Sequence, residues 1–230
     1  MFSGFDFDVI ERSAGYLFRE GMTFTLTLTA LAMTLGIVFG TLLAMMRLSG
    51  NRGLSLAAGA YVNLMRAEPL VLIIFWFYFL VPWIGGWILG EDRPVQIGAI
   101  LSAVITFTLF EAAYYCEIMR AGIQSISKGQ PAAASALGLT YAQSMRYIVL
   151  PQAFRNMVPV LLTQTIILFQ DTSLVYVISV TDFLGAASKV AQRDGRLVEM
   201  YTFVAAVYFI VSFALSSLVK RLQAKIAVVG

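Results

Sequence analysis

Residues 21–46 read GMTFTLTLTALAMTLGIVFGTLLAMM and contain no charged side chain. A helix needs about 20 predominantly apolar residues to cross the hydrocarbon core of a bilayer. This run is long enough to cross, and Arg47 and Arg52 follow it in the chain. The stretch therefore predicts a membrane-spanning helix.

The composition of the whole chain agrees with a membrane protein. Of 230 residues, 59% are hydrophobic and 13% are charged, against about 45–50% and about 25% in ordinary soluble domains. Four further apolar runs predict four more spans. These runs are residues 69–89, 95–119, 156–180 and 201–219. We therefore expect an all-α membrane protein with five transmembrane helices.

The remaining segments carry predictions of their own. Residues 53–65 are apolar but too short to cross, which indicates a helix packed beside the spans. Pro82 predicts a break in the second span, and the polar residues 170–173 predict an interruption of the fourth. Residues 181–200 are expected to form a polar loop. Residues 120–154, called the coupling segment below, have helical periodicity without a spanning run.

The basic residues predict the orientation of the chain. Ten of the 16 lysines and arginines fall on the side of residues 47–66, the coupling segment and the C-terminus. The more basic side is cytoplasmic under the positive-inside rule. We therefore expect an N-terminal segment, residues 1–20, on the side of the membrane opposite the cytoplasm. A membrane domain over residues 21–222 and a cytoplasmic tail over residues 223–230 follow it.

The counts of histidine and cysteine exclude several kinds of site. The chain has no histidine and one cysteine, Cys116. Ser-His and Cys-His nucleophilic sites, His-ligated zinc and disulfide frameworks are therefore excluded. The sequence also lacks the Gly-x-x-x-x-Gly-Lys-Ser/Thr loop that binds nucleotide phosphates. We expect no catalytic residue, no metal and no cofactor on this chain. Its net charge of +3 does not support nucleic-acid binding.

The coupling segment contains a pattern of alanines, a glycine and a Leu-Pro pair. The pattern consists of Ala132, Ala133, Ala134, Gly138, Ile148, Leu150 and Pro151. From the residues alone it predicts a short helix, a turn at the glycine and a second short helix over residues 141–150. Such a unit is either a linker that covers the ends of the spans or a helix that enters a groove on another protein.

The spacing of this pattern resembles the cytoplasmic signature of permease subunits of binding-protein-dependent ABC importers. That signature is Glu-Ala-Ala, three residues, Gly, nine residues, Ile, one residue and Leu-Pro. Ala132 stands at the position of the glutamate, which is a departure. Further blocks resemble the histidine, glutamine and glutamate permeases of the polar amino acid branch, and two are most similar to glutamate/aspartate permeases. The blocks that resemble the branch as a whole are residues 66–70, 113–120, 129–130, 150–155 and 171–174. The two that are most similar to glutamate/aspartate permeases are residues 110–115 and 168–177.

The resemblance implies a fold, a location and a set of partners. The fold is that of a type I ABC importer permease in the bacterial inner membrane, in contact with lipid, with a periplasmic N-terminus. The partners are a second permease subunit, identical or a paralogue, an ATPase that binds ATP and magnesium, a periplasmic binding protein and an amino-acid substrate, glutamate or aspartate. The residues implied in ATPase coupling are Gln130, Ala132, Ala133, Ala134, Gly138, Ile148, Leu150 and Pro151.

Polar residues inside the predicted spans form a second candidate site. An acid at the bilayer centre costs about 2.5–3.5 kcal/mol on insertion scales and usually faces the protein interior. The candidates for a translocation path are Glu111, Gln170, Asp171, Thr172 and Ser173. For Asp171 and Glu111, two interpretations stay open, a side chain on the path and a member of a buried hydrogen-bonded cluster. Asp171 would repel an acidic cargo, and no lysine or arginine lies in mid-span.

The spacing of Glu117 and Arg120 favours a structural ion pair. The rival function is an autonomous channel or ion-coupled carrier that uses Glu111, Glu117 and Asp171 as a proton relay. Such a carrier would not need the coupling segment, and the sequence shows no internal repeat of the kind common in secondary transporters.

Overall fold

A computed structural model describes residues 5–226, which form helices and short connections without a strand. We number the helices α1 to α8. They are α1 (Asp8–Leu48), α2 (Arg52–Ala67), α3 (Leu70–Ile88), α4 (Ala99–Gln124), α5 (Gly129–Ala136), α6 (Tyr141–Ile178), α7 (Phe183–Asp194) and α8 (Leu197–Ile226). Five of them, α1, α3, α4, α6 and α8, are long and apolar enough to cross a membrane. The prediction of an all-α protein with five spans is confirmed.

The first span begins well before the apolar run that predicts it. Helix α1 starts at Asp8, inside the segment expected to precede the membrane domain, and passes through a π-helical turn at Leu17–Met22. Val9, Ser13 and Leu17, each four residues apart, are buried. They lie on one face of the helix. Because polar residues separate them in the sequence, this amphipathic part of the helix does not appear as an apolar run.

The predicted break at Pro82 is wrong. Helix α3 continues from Leu70 to Ile88 through a π-helical turn at Trp76–Leu80, immediately before the proline. Proline lacks an N–H group and its ring collides with the carbonyl one turn earlier in a regular α-helix. The wider π-helical turn moves that carbonyl away from the proline ring, so the helix continues past the proline.

Residues 181–200 do not form the polar loop expected from the sequence. Most of them form α7, which begins where the Asp182 side chain accepts hydrogen bonds from the N–H groups of Leu184 (3.0 Å) and Gly185 (2.8 Å). Burial raises the pKa of Asp182 to about 6, although these two hydrogen bonds oppose the shift. The helix ends at Gly195, whose φ is +67°. Its buried apolar face consists mainly of alanines. The segment therefore has few large apolar residues, and its polar residues dominate the composition.

Helices α1 and α4 pack closely because two glycines of α1 face α4. A Cβ atom on Gly40 would lie 2.8 Å from Cβ of Tyr115, and one on Gly36 would lie 3.1 Å from Cβ of Glu111. Small residues four apart allow two membrane helices to approach in this way. The contact holds α4, and with it Glu111, in the centre of the bundle.

Candidate translocation path and coupling segment

The turn after α5 is a helix C-cap that depends on glycine. Gly138 has φ of +81°, in the left-handed region. The N–H of Leu139 donates to the carbonyl of Ala134 (3.1 Å), and the N–H of Gly138 donates to the carbonyl of Ser135 (3.0 Å). This pair of bonds is the Schellman motif, in which glycine avoids the steric cost of positive φ. The predicted helix and turn at Gly138 are confirmed.

The second short helix predicted over residues 141–150 is wrong as a separate element. It is the first part of α6, which starts with a reciprocal capping box between Thr140 and Gln143 and continues into the fourth span. A π-helical turn at Met145–Val149 precedes Pro151 and keeps the helix unbroken, as at Pro82. The coupling segment is therefore joined to the middle of the fourth span by continuous helix.

The coupling segment exposes small side chains along its first helix and large apolar side chains at its turn. Gln130, Ala132 and Ala133 are exposed, whereas Ala134 is buried. Ile148 is half-buried, and Leu150 and Pro151 are exposed. Sequence reasoning missed Leu137 and Tyr141, whose exposed fractions are 80% and 81%. Large apolar residues on both sides of a turn glycine, in an otherwise polar segment, are the signal that identifies them.

Glu111 is completely buried between α4 and α6. Its two carboxylate oxygens each accept a hydrogen bond from Nε2 of Gln164, at 3.2 Å. Gln164 is a third residue that sequence reasoning missed, although a glutamine in an apolar span is itself an unusual feature. The pair satisfies part of the hydrogen-bonding capacity of a carboxylate that is removed from water.

Asp171 lies where the α-helical part of α6 changes to the 3-10 helix Thr172–Ile178. This change is the interruption that the polar residues predict. The Asp171 side chain is half-buried, and its carboxylate accepts no hydrogen bond from any residue in the range 5–226. Gln164, the partner of Glu111, lies about two helical turns before Asp171 on α6. The two acids therefore belong to the same side of α6.

The other predicted path residues do not all join these acids. The Nε2 group of Gln170 donates to the hydroxyl of Ser212 on α8 (3.0 Å). Thr172 is buried and donates to the carbonyl of Phe169 (2.7 Å), whereas Ser173 is half-buried. Gln170 and Thr172 thus have partners within this chain.

Three arginines from three different helices surround Glu117 on α4. Arg120 donates to one carboxylate oxygen at 2.7 Å, which confirms the predicted ion pair, and Arg47 of α1 donates to the other oxygen. The NH1 group of Arg66, on α2, lies 3.8 Å from Glu117. These four residues form the arginine cluster, in which hydrogen bonds to Glu117 join α1 to α4 at one end of the bundle and Arg66 of α2 makes only a longer contact.

We expect the substitution Glu117→Gln to lower the free energy of unfolding by about 1–3 kcal/mol, because it leaves three arginines partly buried without a counter-charge. Thermal unfolding of the purified protein in detergent measures the effect. Glu91→Gln changes an exposed loop glutamate and is the matched control. Equal stability of the two variants would contradict the structural role of Glu117.

No group of three or more cysteines, aspartates or glutamates among residues 5–226 is arranged to hold a metal ion. The geometry is that of a helical bundle with a polar centre, a charged end and a solvent-exposed helix-turn unit.

The family model described as "Binding-protein-dependent transport system inner membrane component" matches residues 36–228. The chain belongs to this family. It is therefore a multi-pass permease of the bacterial inner membrane, as the resemblance and the five spans predict. Members of the family are transport components and not enzymes.

Individual relatives support the same assignment. The permease is 51% identical to the glutamate/aspartate import permease protein GltK of Escherichia coli O6:H1, over 97% of this chain and 99% of that protein. It is 32% identical to the probable glutamine ABC transporter permease protein GlnM of Bacillus subtilis strain 168, over 91% of this chain and 93% of that protein.

Solved structures confirm the ABC importer permease fold. A crystal structure of an amino acid ABC transporter with histidines superposes with a TM-score of 0.86 at 32% identity, covering 96% of the permease and 98% of that chain. The inward-facing MetNI methionine ABC transporter shares the fold, with a TM-score of 0.72 at 21% identity, over 93% of the permease and 97% of that chain.

Proposed function

We propose that this permease forms, together with a second permease subunit, the path by which glutamate or aspartate crosses the inner membrane. A periplasmic binding protein delivers the amino acid, and a separate ATPase subunit binds ATP and magnesium and drives import. The observation that carries the proposal is the 51% identity, over nearly the whole length, to a protein named as a glutamate/aspartate import permease.

In the proposed orientation, residues 1–20 lie in the periplasm, residues 21–222 form the membrane domain, and the coupling segment and residues 223–230 lie in the cytoplasm. Ion pairs support this division of the charges. Arg12 pairs with Asp194 (3.1 Å) at one end of the bundle, and the arginine cluster lies at the other. These are the two groups that the count of basic residues separates.

The proposed ATPase contact is the exposed surface of α5 and of the turn that follows it. It comprises Gln130, Ala132, Ala133 and Gly138, together with Leu150 and Pro151 of α6. The buried Ala134 and the half-buried Ile148 complete the proposed set. Leu137 and Tyr141 add two large side chains that remain exposed. Tyrosine is among the residues that dominate the energy of protein interfaces.

The proposed translocation path passes the candidates Glu111, Gln170, Asp171, Thr172 and Ser173. The support is strongest for Asp171, whose carboxylate has no hydrogen-bond donor among residues 5–226 and is therefore available to an ammonium group. Thr172 and Gln170 would shape the path through the partners described above.

We expect Asp171→Asn to lower glutamate uptake at least tenfold with little change in thermal stability, because the isosteric amide keeps the volume but removes the charge. The measurement is uptake by proteoliposomes that contain the complete transporter. Asp182→Asn is the matched control, since asparagine also caps helices, and we expect it to retain uptake within twofold. A destabilised Asp171→Asn variant with normal uptake would favour the structural interpretation.

The whole proposal is tested by purifying the tagged permease in mild detergent and identifying the chains that accompany it by mass spectrometry. We expect an ATPase subunit and a permease subunit. The recovered complex should then take up glutamate only with ATP and the binding protein. Uptake of glutamate by liposomes that hold the permease alone would contradict the proposal and favour the autonomous carrier.

A further inference from the structure

A cavity of about 450 Å³ lies beside the arginine cluster, between α4 and α6, and most of its wall is apolar. Its polar lining consists of Arg66, Glu117, Ser125 and Asn156. Cavities of about 300–1,000 Å³ are typical of sites for small molecules. Asn156 donates to the hydroxyl of Ser125 (2.9 Å), which leaves its amide oxygen available. The cavity has room for a small polar ligand.

Arg66 is the least occupied of the three arginines. Arg47 and Arg120 donate hydrogen bonds to the Glu117 carboxylate, whereas Arg66 approaches it only to 3.8 Å. The guanidinium of Arg66 makes no hydrogen bond to any residue from 5 to 226, and 41% of its side chain is exposed. One glutamate among three arginines leaves a net charge of +2 beside the cavity. An anion that enters it would therefore meet an available planar donor.

Arg66 also contacts α4 one turn away from Glu111. Its guanidinium carbon lies 5.3 Å from the centre of the Tyr114 ring, in a cation–π contact. On α4, Tyr114 is three residues from Glu111 and three from Glu117, so all three lie on neighbouring turns. A polar strip thus runs along α4 from Glu111 past Tyr114 to Arg66.

From this arrangement we infer that Arg66 binds a carboxylate of the amino-acid cargo in the 450 Å³ cavity. The inference rests on the proposed function, and it assigns Asp171 and Arg66 to the two kinds of charge on the cargo. Asp171 attracts the ammonium group, and the guanidinium of Arg66 donates paired N–H hydrogen bonds to a carboxylate. A cation near the path also reduces the repulsion between Asp171 and an acidic amino acid.

The cavity lies at the end of α4 that leads into the coupling segment, since Gly122 and Ser125 both line it. In the proposed orientation, this is the cytoplasmic end. Cargo bound at Arg66 would therefore lie close to the point of release.

The test is Arg66→Gln in the complete transporter, reconstituted in proteoliposomes with its binding protein. We expect uptake of radiolabelled glutamate to fall at least tenfold. The ATPase activity stimulated by liganded binding protein should stay within twofold of the unmodified transporter, with unchanged thermal stability. Arg66→Lys should recover uptake at least threefold above Arg66→Gln because it restores the charge. Arg52→Gln, at the exposed start of the same helix, should leave uptake unchanged.

The outcomes separate this inference from the function on which it rests. If the unmodified transporter does not take up glutamate, the proposed function is wrong whatever Arg66 does. Normal uptake by Arg66→Gln in a working transporter would overturn the inference alone. An equal loss of uptake, ATPase stimulation and stability would also overturn it, because Arg66 would then be a structural member of the arginine cluster.

Discussion

Replacing Gly138 with valine is expected to lower ATP-driven uptake more than tenfold, while the permease remains in the membrane. No atom lies within 4 Å of the place that a Cβ would occupy, so the effect does not come from a clash. It comes from φ of +81°, which costs an ordinary L-residue about 1–2 kcal/mol, and a β-branched residue is especially ill-suited to it. The turn would relax and move Leu137 and Tyr141 out of the proposed ATPase contact.

Uptake by proteoliposomes, together with the amount of ATPase subunit that copurifies with the permease, measures this effect. Gly138→Asn is the matched variant, because asparagine tolerates the left-handed conformation and replaces glycine at helix ends. We expect it to keep at least half of the uptake. If Gly138→Val transports normally, the turn has no part in coupling.

Gly40→Ala is expected to lower the free energy of unfolding by about 1–3 kcal/mol, the usual cost of overpacking a tight contact. The added methyl group would lie 2.8 Å from Cβ of Tyr115 and 3.0 Å from the carbonyl oxygen of Ala112. Helices α1 and α4 must then separate along their contact. Because α4 carries Glu111 and Glu117, uptake should fall together with stability.

Thermal unfolding in detergent measures the loss, and Gly59→Ala is the control. Gly59 lies in α2, where the nearest atom to an added methyl group is 4.0 Å away. Alanine is favoured over glycine in a helix by about 1 kcal/mol, so this variant should be as stable as the unmodified permease or more stable. A Gly40→Ala variant that behaves like Gly59→Ala would show that the helix contact has room to spare.

The spans could be predicted from the sequence because crossing a membrane requires a local property, a long apolar run. Helix α7 could not, since its buried face consists largely of alanines and only packing against α1 and α8 reveals it. The capping residues Asp182 and Gly195 are readable signals for that helix. The break predicted at Pro82 and the helix boundary predicted at Pro151 are wrong for the same reason. A π-helical turn precedes each proline, and the amino-acid composition does not indicate such a turn.

The candidate site divides in the same way. The turn at Gly138 was predictable because its pattern is a spacing along the chain. The partner of Glu111 is Gln164, and Glu117 meets arginines from two other helices, so these contacts depend on the tertiary fold. The cavity beside Arg66 belongs to the same class. It exists only where α4 and α6 come together.

Helix α6 runs without a break from Tyr141 to Asp171, where the 3-10 turn begins, and this has a mechanical consequence. Residues 141–171 make a rod of about 45 Å, because an α-helix rises about 1.5 Å per residue. A tilt of about 5° in such a rod displaces its far end by about 4 Å, most of the height of one helical turn. A small push on Tyr141 would thus be amplified along the rod rather than absorbed by a hinge. The permease has the build of a lever, with its short arm at the proposed ATPase contact and its long arm among the spans.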